Sequence, residues 1–326
     1  MIERDVLDWL LDTDPSLRWQ VERDLLGEPP EIWARTRARI ATEGHGAALL
    51  SHQDPDGQWA GGAFFPADVV ARLQAGLPPE GDGQPFTATT WSLTFLREWG
   101  LDPAVLADTD RKLESVVWEY EDMPYWGGEV DVCINAMTLG NGTWLGRDMS
   151  ALADWFVAHQ LPDGGWNCEW VEGSTRSSFH STINAVRALL EYEQRVGATP
   201  EMIATRRRGE EYLLARRLRY RLSNGEPLGG WTDVLMYPPR AQFTTLKALD
   251  HLTAAALHDG IPFDERMTEA VESIRARRRP DGTWVQEHVI PGRVWFPLDV
   301  AEGEPSPWLT FQALRVLSRW DAAASG

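Results

Sequence analysis

The chain has 326 residues, with 31 lysine and arginine side chains against 49 aspartates and glutamates, so its formal net charge is −18. A surface this acidic repels phosphate backbones and anionic lipid, so we expect no nucleic-acid partner. No apolar run reaches the length of a membrane span, the N-terminus lacks a secretory signal, and two cysteines form no disulfide framework. We therefore expect a cytoplasmic protein without an integral membrane segment.

The first predicted elements are a helix over 14–27 and, after it, a turn that ends in tryptophan. The chain holds 17 tryptophans, and three of them close a repeated heptad. The heptads are QDPDGQW (53–59), QLPDGGW (160–166) and RRPDGTW (278–284), with looser relatives around Trp126 and ending at Trp231. Each heptad stops a helix-like segment with Pro-Asp-Gly turn chemistry. We expect the tryptophans to pack beneath these turns, with Gln53 and Gln160 fixing the ends of the preceding helices.

The segment 65–85, FPADVVARLQAGLPPEGDGQP, separates the first of these turns from the next predicted helix. A long insertion at this point is compatible with a lid over a binding cavity. It is equally compatible with a flexible surface loop. Both interpretations stay open on sequence alone.

A second repeat follows each turn and has the spacing of a helix. A threonine is followed by alanine or serine after three positions, an apolar residue after four, and leucine after seven. The segments are TTWSLTFL (89–96), CINAMTLG (133–140), TINAVRAL (182–189), TTLKALDHL (244–252) and TFQALRVL (310–317). In this alignment Cys133 takes the place of the recurring threonine, and Asp131 and His180 are equivalent. No strand-like alternation competes, so the sequence predicts an all-α fold.

The heptads, each lying between two helices, resemble the QW repeats of squalene–hopene cyclases, oxidosqualene cyclases and protein prenyltransferase β subunits. The resemblance covers the chain from about Asp14 to Trp320. In this superfamily of terpene cyclases and prenyltransferases, such helix pairs close into an α/α toroid around a central cavity. The resemblance implies that residues 1–326 form one (α/α)6 toroid, with the N-termini of the inner helices gathered at one end.

The same resemblance implies a zinc site at that end. Prenyltransferase β subunits bind zinc through Asp-x-Cys at the start of one inner helix and a histidine at the start of a later one. DVC (131–133) and FHS (179–181) resemble those two motifs, and the second cysteine lies just ahead of the histidine helix. The ligands that the resemblance implies, all of zinc-binding type, are Asp131, Cys133 and His180. The fourth position is taken by Cys168 or Glu169, or stays open for water or substrate. The alternative is that both cysteines are small buried residues without a metal.

The chain departs from these families at the residues that would handle a prenyl diphosphate. Between Gly-Gly and Asp-x-Cys the prenyltransferases carry basic residues, whereas here the link is GGEVDVC with Glu129. The Asp-x-Asp-Asp acid of the cyclases is missing, and its nearest echo, DTDR (108–111), lies on a predicted outer helix. Two cysteines and a histidine bind zinc in the resembling toroids of lanthionine synthesis, but their Cys-His dipeptide is absent. Neither transfer from a diphosphate nor standard polyene cyclisation is therefore expected.

Further candidate site residues stand in turns at the same end of the predicted barrel. The candidates for proton transfer are Glu169, Asp233, Glu287 and His288. Glu169 ranks first because it is next to Cys168. The candidates for the aromatic wall of a substrate pocket are Phe64, Phe65, Trp170, Tyr237 and Trp295. For each one the alternative is an ordinary loop or core residue.

Together these features predict a zinc-dependent enzyme that holds a small, largely apolar substrate, such as an isoprenoid-derived one, in the central cavity. The metal would act as a Lewis acid or activate water. Two alternatives remain open. One is an unconventional, metal-independent terpene cyclase or prenyltransferase, and the other is a non-catalytic toroid that binds a hydrophobic ligand or a partner.

Overall fold

A computed structural model describes residues 2–78, 80–119 and 123–325. These residues form α-helices joined by turns, short 3-10 helices and isolated β-bridges, and no strand occurs among them, so the all-α prediction is confirmed there. The α-helices are α1 (Arg4–Leu11), α2 (Pro15–Asp24), α3 (Pro30–Ala38), α4 (Gly44–Leu50), α5 (Ala67–Gln74), α6 (Thr89–Trp99), α7 (Thr109–Lys112), α8 (Val132–Trp144), α9 (Ser150–Ala158), α10 (Phe179–Val196), α11 (Pro200–Ala215), α12 (Thr245–Asp259), α13 (Thr268–Ala276) and α14 (Pro307–Ser325).

The tryptophans that close the three heptads are fully buried beneath their turns, as predicted. These are Trp59, Trp166 and Trp284. Each donates its indole N–H, at 2.8 to 2.9 Å, to the carbonyl ten residues earlier, in the last turn of the preceding helix. The acceptors are Leu49 in α4, Phe156 in α9 and Ile274 in α13. The last carbonyls of a helix lack their usual partners within it, and each indole supplies one of them with a donor. The Leu49 and Ile274 carbonyls also accept a backbone N–H from the turn that follows.

The same tryptophans also bind the helix that follows each turn. Their backbone N–H groups donate to the hydroxyl oxygens of Thr89, Thr182 and Thr310, at 3.0 to 3.1 Å. These are the recurring threonines of the second sequence repeat, and all three are fully buried. One tryptophan per repeat therefore joins the end of one helix to the start of the next.

The glutamines of the heptads hold the turns themselves. Gln53 Nε2 donates to the carbonyl of Gly57 at 3.1 Å, and Gln160 Nε2 donates to the carbonyl of Gly164 at 2.7 Å. In the third heptad arginine stands in place of glutamine, and its Nε lies 3.4 Å from the equivalent glycine carbonyl. The looser relative at Trp231 differs, because that side chain is 39% exposed and does not pack under a turn.

The longer helices contact one another in chain order. Helix α6 contacts α8, α8 contacts α10, α10 contacts α12, and α12 contacts α14, which in turn contacts α2. Trp19 of α2 donates its indole N–H to the carbonyl of Trp99 at the end of α6, at 2.7 Å. Among the intervening helices, α9 contacts both α8 and α10, and α13 contacts both α12 and α14. In the described part of the chain no helix has the length and apolar character that a membrane span needs.

The insertion 65–85 contains helix α5 and is tied to a distant loop. Asp68 forms two 2.7 Å hydrogen bonds with the guanidinium of Arg293. Phe86, just after the insertion, donates its backbone N–H to the Arg293 carbonyl at 2.8 Å. Position 79 lies outside the described residues. These contacts anchor both ends of the segment, and a role as a lid stays a prediction.

We expect Thr182→Val to lower the free energy of unfolding by about 1–3 kcal/mol, because the buried N–H of Trp166 loses its acceptor while the side-chain volume is kept. Chemical denaturation of the two proteins measures this difference. Thr182→Ser, which retains the hydroxyl, is the matched control. A valine variant at least as stable as the serine variant would contradict the role given to the hydroxyl.

Candidate functional site

Asn135, rather than Cys133, is the counterpart of the recurring threonine in α8. Its side-chain oxygen accepts the backbone N–H of Glu129 at 2.6 Å, and its side-chain nitrogen donates to the Glu129 carbonyl at 2.5 Å. Asn135 is fully buried, as the threonines are. The predicted equivalence of Cys133 with those threonines is therefore wrong by two residues, since an amide replaces the hydroxyl that binds the connector.

The corrected alignment makes Cys133 the counterpart of His180, each two residues before the anchoring side chain. Asp131 becomes the counterpart of Ser178, and both are the N-cap residues of their helices. Ser178 caps α10 by accepting the backbone N–H of Ser181 at 3.0 Å, whereas the Asp131 side chain makes no capping bond. The Asp131 carboxylate is thus left for contacts outside its own helix.

The two cysteines of the chain, 35 residues apart in sequence, meet at the start of α8. Their sulfurs are 3.4 Å apart. Cys168 opens a short 3-10 helix ahead of α10, and its backbone N–H donates to the hydroxyl of Ser181 at 3.1 Å. The same hydroxyl lies 3.3 Å from the Cys168 sulfur and 3.9 Å from the Cys133 sulfur. Ser181 therefore holds both thiols together from the first turn of α10.

The environment divides the two thiols into a less acidic and a more acidic one. The hydrogen bond between them raises the pKa of Cys133 well above its ordinary value, and burial adds to that effect. The same hydrogen bond lowers the pKa of Cys168. Burial raises the pKa of Asp131, while a hydrogen bond with the Cys168 thiol opposes that shift. Asp131 is thereby placed beside Cys168, as the resemblance implied.

His180 faces a different partner. Its Nδ1 accepts the backbone N–H of Phe243 at 2.8 Å, and its ring lies 5.1 Å from that of Trp231. Burial lowers the pKa of His180, so the ring is neutral near pH 7. With Nδ1 accepting, the ring proton belongs on Nε2, and neither nitrogen offers a free lone pair to a metal. The structure therefore brings the two cysteine sulfurs together, but among the described residues neither Asp131 nor His180 completes a set of three ligand atoms with them.

A different group has the spacing of a metal site. Glu193, His258 and Asp259 each offer one ligand atom, and these three atoms lie within 4.8 Å of one another. They are the set of three with this spacing among the described residues. Arg206 already occupies this place, with Nε 2.8 Å from Glu193 and Nη2 2.7 Å from Asp259. Because Arg206 pairs with both carboxylates and Arg207 also pairs with Asp259, we assign the cluster to an ion-pair network at the ends of α10 and α12.

Asn184 connects the thiols to a cluster of polar groups that sequence reasoning identified only in part. Its side-chain nitrogen lies 3.5 Å from the Cys133 sulfur, and its oxygen accepts from the Lys247 ammonium at 2.8 Å. Lys247 is buried, and burial lowers its pKa to about 7. One feature of the sequence indicated that Lys247 is unusual, since it is a lysine among the small and apolar residues of the segment TTLKAL.

A cavity of about 390 Å³ lies below this cluster, among α6, α8, α10, α12 and the loop 238–240. Asn184 lines it, as do Ala136 and Met137, which follow Cys133 by about one helical turn. Residues three or four apart share a helix face, so the thiols stand at one end of the cavity. Its aromatic lining consists of Trp91 and Phe95.

The four residues predicted for proton transfer do not line this cavity. Asp233 accepts from Arg219 at 2.6 Å and from Thr245 at 2.9 Å, so it stabilises the start of α12. The remaining three lie in the surface turns: Glu169 is exposed, Glu287 accepts the backbone N–H of Leu235, and His288 is paired with Glu302. Their partners explain them as structural or solvated residues.

The predicted aromatic wall also lies outside the cavity lining. Phe64 packs 5.0 Å from Trp91 and so supports the wall from behind. The others make separate contacts: Phe65 packs on Phe64, Trp170 donates to the Val130 carbonyl, Tyr237 stacks on Trp308, and Trp295 stacks on His52. Sequence position alone did not distinguish the residues of the cavity from those packed around it.

Comparison with models of known protein families gives no match for this chain, and comparison with curated proteins gives none either. The function is therefore inferred from the geometry of the thiol cluster and the cavity, together with the resemblance in the heptads.

In metal-free, reduced protein we expect iodoacetamide to modify Cys168 before Cys133. The thiolate is the nucleophile, and Cys168 is the more acidic thiol of the pair. Peptide mass spectrometry over a time course at pH 8 measures the two rates. Cys168→Ser should remove the fast phase, and equal labelling of both cysteines in the unsubstituted protein would contradict the assignment.

Proposed function

We propose that the chain is a zinc-dependent enzyme of the terpene cyclase and prenyltransferase-like α/α toroid type, with its ligand in the cavity between α6 and α12. The sequential contacts of the longer helices, together with the contact of α14 with α2, support a closed ring. Of the intervening helices, α9 touches α8 and α10, and α13 touches α12 and α14, which supports an outer layer. The observation that carries the metal is the 3.4 Å approach of the chain's two cysteines beside Asp131.

The donor chemistry at this point fits zinc. Two thiol sulfurs and one carboxylate are ligands of the type found in zinc sites, and catalytic sites use three protein ligands with one position open. Cys133, Cys168 and Asp131 would hold the ion. A zinc ion there would supply a Lewis acid able to lower the pKa of a bound thiol or water.

The neighbouring residues have positioning roles in this proposal. Ser181 keeps the two sulfurs together, and Asn184 fixes the Cys133 sulfur while accepting from Lys247. His180 stays bound to the backbone of Phe243 and presents its Nε2–H as a hydrogen-bond donor. The chain's own groups thus order the site from two adjacent inner helices.

A second candidate, a non-catalytic binding toroid, is favoured by one observation. Each carboxylate that lines the cavity in the described structure is ion-paired, so none is left as an evident proton acceptor. Turnover then depends on the thiol cluster alone. Loss of that cluster without loss of ligand binding is the behaviour expected of a binding protein.

We expect about one zinc per chain when the protein is purified without chelator and its metal content is measured by mass spectrometry. Cys133→Ser and Cys168→Ser should each lose the metal, and Asp131→Asn should weaken its retention about tenfold or more. His180→Ala should retain it, because that ring is engaged elsewhere. Glu193→Gln, at the arginine-filled cluster, is the control and should also retain it.

If protein purified without chelator contained no stoichiometric zinc, the metal assignment would be contradicted. If the two thiols of such protein then closed to a disulfide under mild oxidation, the pair would be a redox dithiol instead. Loss of zinc in Glu193→Gln but not in the cysteine variants would assign the metal to the cluster of Glu193, His258 and Asp259 instead.

A further inference from the structure

Arg240 places a half-buried cation at the cavity, and no anion among the described residues forms a hydrogen bond with its Nε or Nη1. Its guanidinium lies over the rings of Phe86 and Phe95, at 4.0 and 4.8 Å from their centres. Its Nε and Nη1 atoms are buried and have no hydrogen-bond partner among the described residues. Native proteins rarely leave a buried donor unpaired, and the penalty is greatest for charged groups. Such an arginine therefore calls for an acceptor supplied from outside the chain.

The indole of Trp91 is a second unpaired donor beside the same ring. In the described part of the chain ten buried side-chain polar atoms lack a partner, and three of them belong to Trp91 and Arg240. Phe86 links the two residues, since its ring lies 4.9 Å from that of Trp91 and beneath the guanidinium. Indole and guanidinium nitrogens only donate. The missing partner is therefore an acceptor.

The remaining charges of the cavity are paired with one another. The pairs are Arg97 and Arg195 with Glu191, Arg187 with Glu98, and Asp250 with Arg315 and Arg319. Four arginines and three carboxylates line the cavity, and Arg240 is the one among these arginines that has no carboxylate partner in the described part of the chain. Burial lowers the pKa of Arg240 to about 9, and the charge of Glu98 opposes that shift although its hydrogen bond goes to Arg187. A single negative charge on a ligand would pair with Arg240.

The rest of the cavity lining suits a ligand whose remaining part is apolar. Phe95, Met137, Ala188, Pro238 and Pro239 supply apolar surface. The volume of about 390 Å³ lies within the range of small-molecule sites, about 300–1,000 Å³. A planar guanidinium matches a carboxylate in shape, because both can form two parallel hydrogen bonds.

We infer that the central cavity binds a monoanionic amphipathic ligand, a carboxylate on an apolar chain or ring, with the carboxylate on Arg240 and the Trp91 indole N–H. This inference names the class of ligand for the proposed function. It rests on that function only for the reaction that the ligand would undergo. The donors of the anion site and the cysteine cluster are different residues. One can consequently fail without the other.

Decanoate tests the inference directly, with 1-decanol and geranyl diphosphate as comparison ligands in isothermal titration calorimetry. Decanoate should bind most tightly of the three. Arg240→Met should weaken decanoate binding at least tenfold and leave decanol binding unchanged, because the lost interaction is a charge-assisted hydrogen bond. Trp91→Phe, which keeps a ring in place, should weaken decanoate binding several-fold. Arg35→Met, the same change at an exposed position of α3, is the matched control and should have no effect.

The thermal midpoint of Arg240→Met separates a ligand-binding arginine from a structural one. Removing an unpaired half-buried cation should leave Tm equal to or above that of the unsubstituted protein, and zinc content should not change. Equal binding of decanol and decanoate, tighter binding of the diphosphate, or no binding of decanoate would each overturn the inference. A fall in Tm with Arg240→Met, accompanied by unaltered decanoate binding in Trp91→Phe, would do the same.

Discussion

The fold depends on one repeated interaction, the buried tryptophan that bonds in two directions. Through its indole it closes the C-terminal end of one helix, and through its backbone it binds the threonine at the start of the next. Trp166 shows both bonds, to Phe156 at 2.9 Å and to Thr182 at 3.1 Å. Because the same geometry recurs at Trp59 and Trp284, each of these helix pairs starts from an equivalent point.

That constraint explains why the heptads and the all-helical fold could be predicted from sequence, whereas the site could be predicted only in part. The turns depend on local chemistry, and the residues that supply it recur in the sequence. The register of α8 cannot be read in this way, since Cys133-Ala136-Met137 and Asn135-Thr138-Leu139 both have helical spacing. Only the bond between Asn135 and the connector decides between them. The convergence of the two cysteines was nevertheless foreseeable, because a two-residue shift leaves them at the same end of neighbouring helices.

The charges of the cavity were hidden from sequence for a different reason. An arginine on a helix ordinarily belongs to its solvated face, and nothing in the spacing of Arg187 distinguishes it from one. Enclosure by the neighbouring helices α6, α8 and α12 makes it part of the lining. In that low-dielectric space each charge needs a partner, and the partners of Arg97, Arg187 and Asp250 come from other helices. Arg240 is the informative exception because its neighbours are aromatic rings instead of carboxylates.

The contact between α2 and α14 also has a consequence for the order of folding. Asp24 and Arg315 form a 3.0 Å ion pair across 291 positions of the chain, while the helices around the cavity lie between residues 89 and 259 and touch their sequence neighbours. Contacts between neighbours close short loops, and a contact between the chain's two ends must wait until the helices between them are in place. We therefore expect the helices around the cavity to pair early, through contacts between sequence neighbours, and the first and last long helices to meet late.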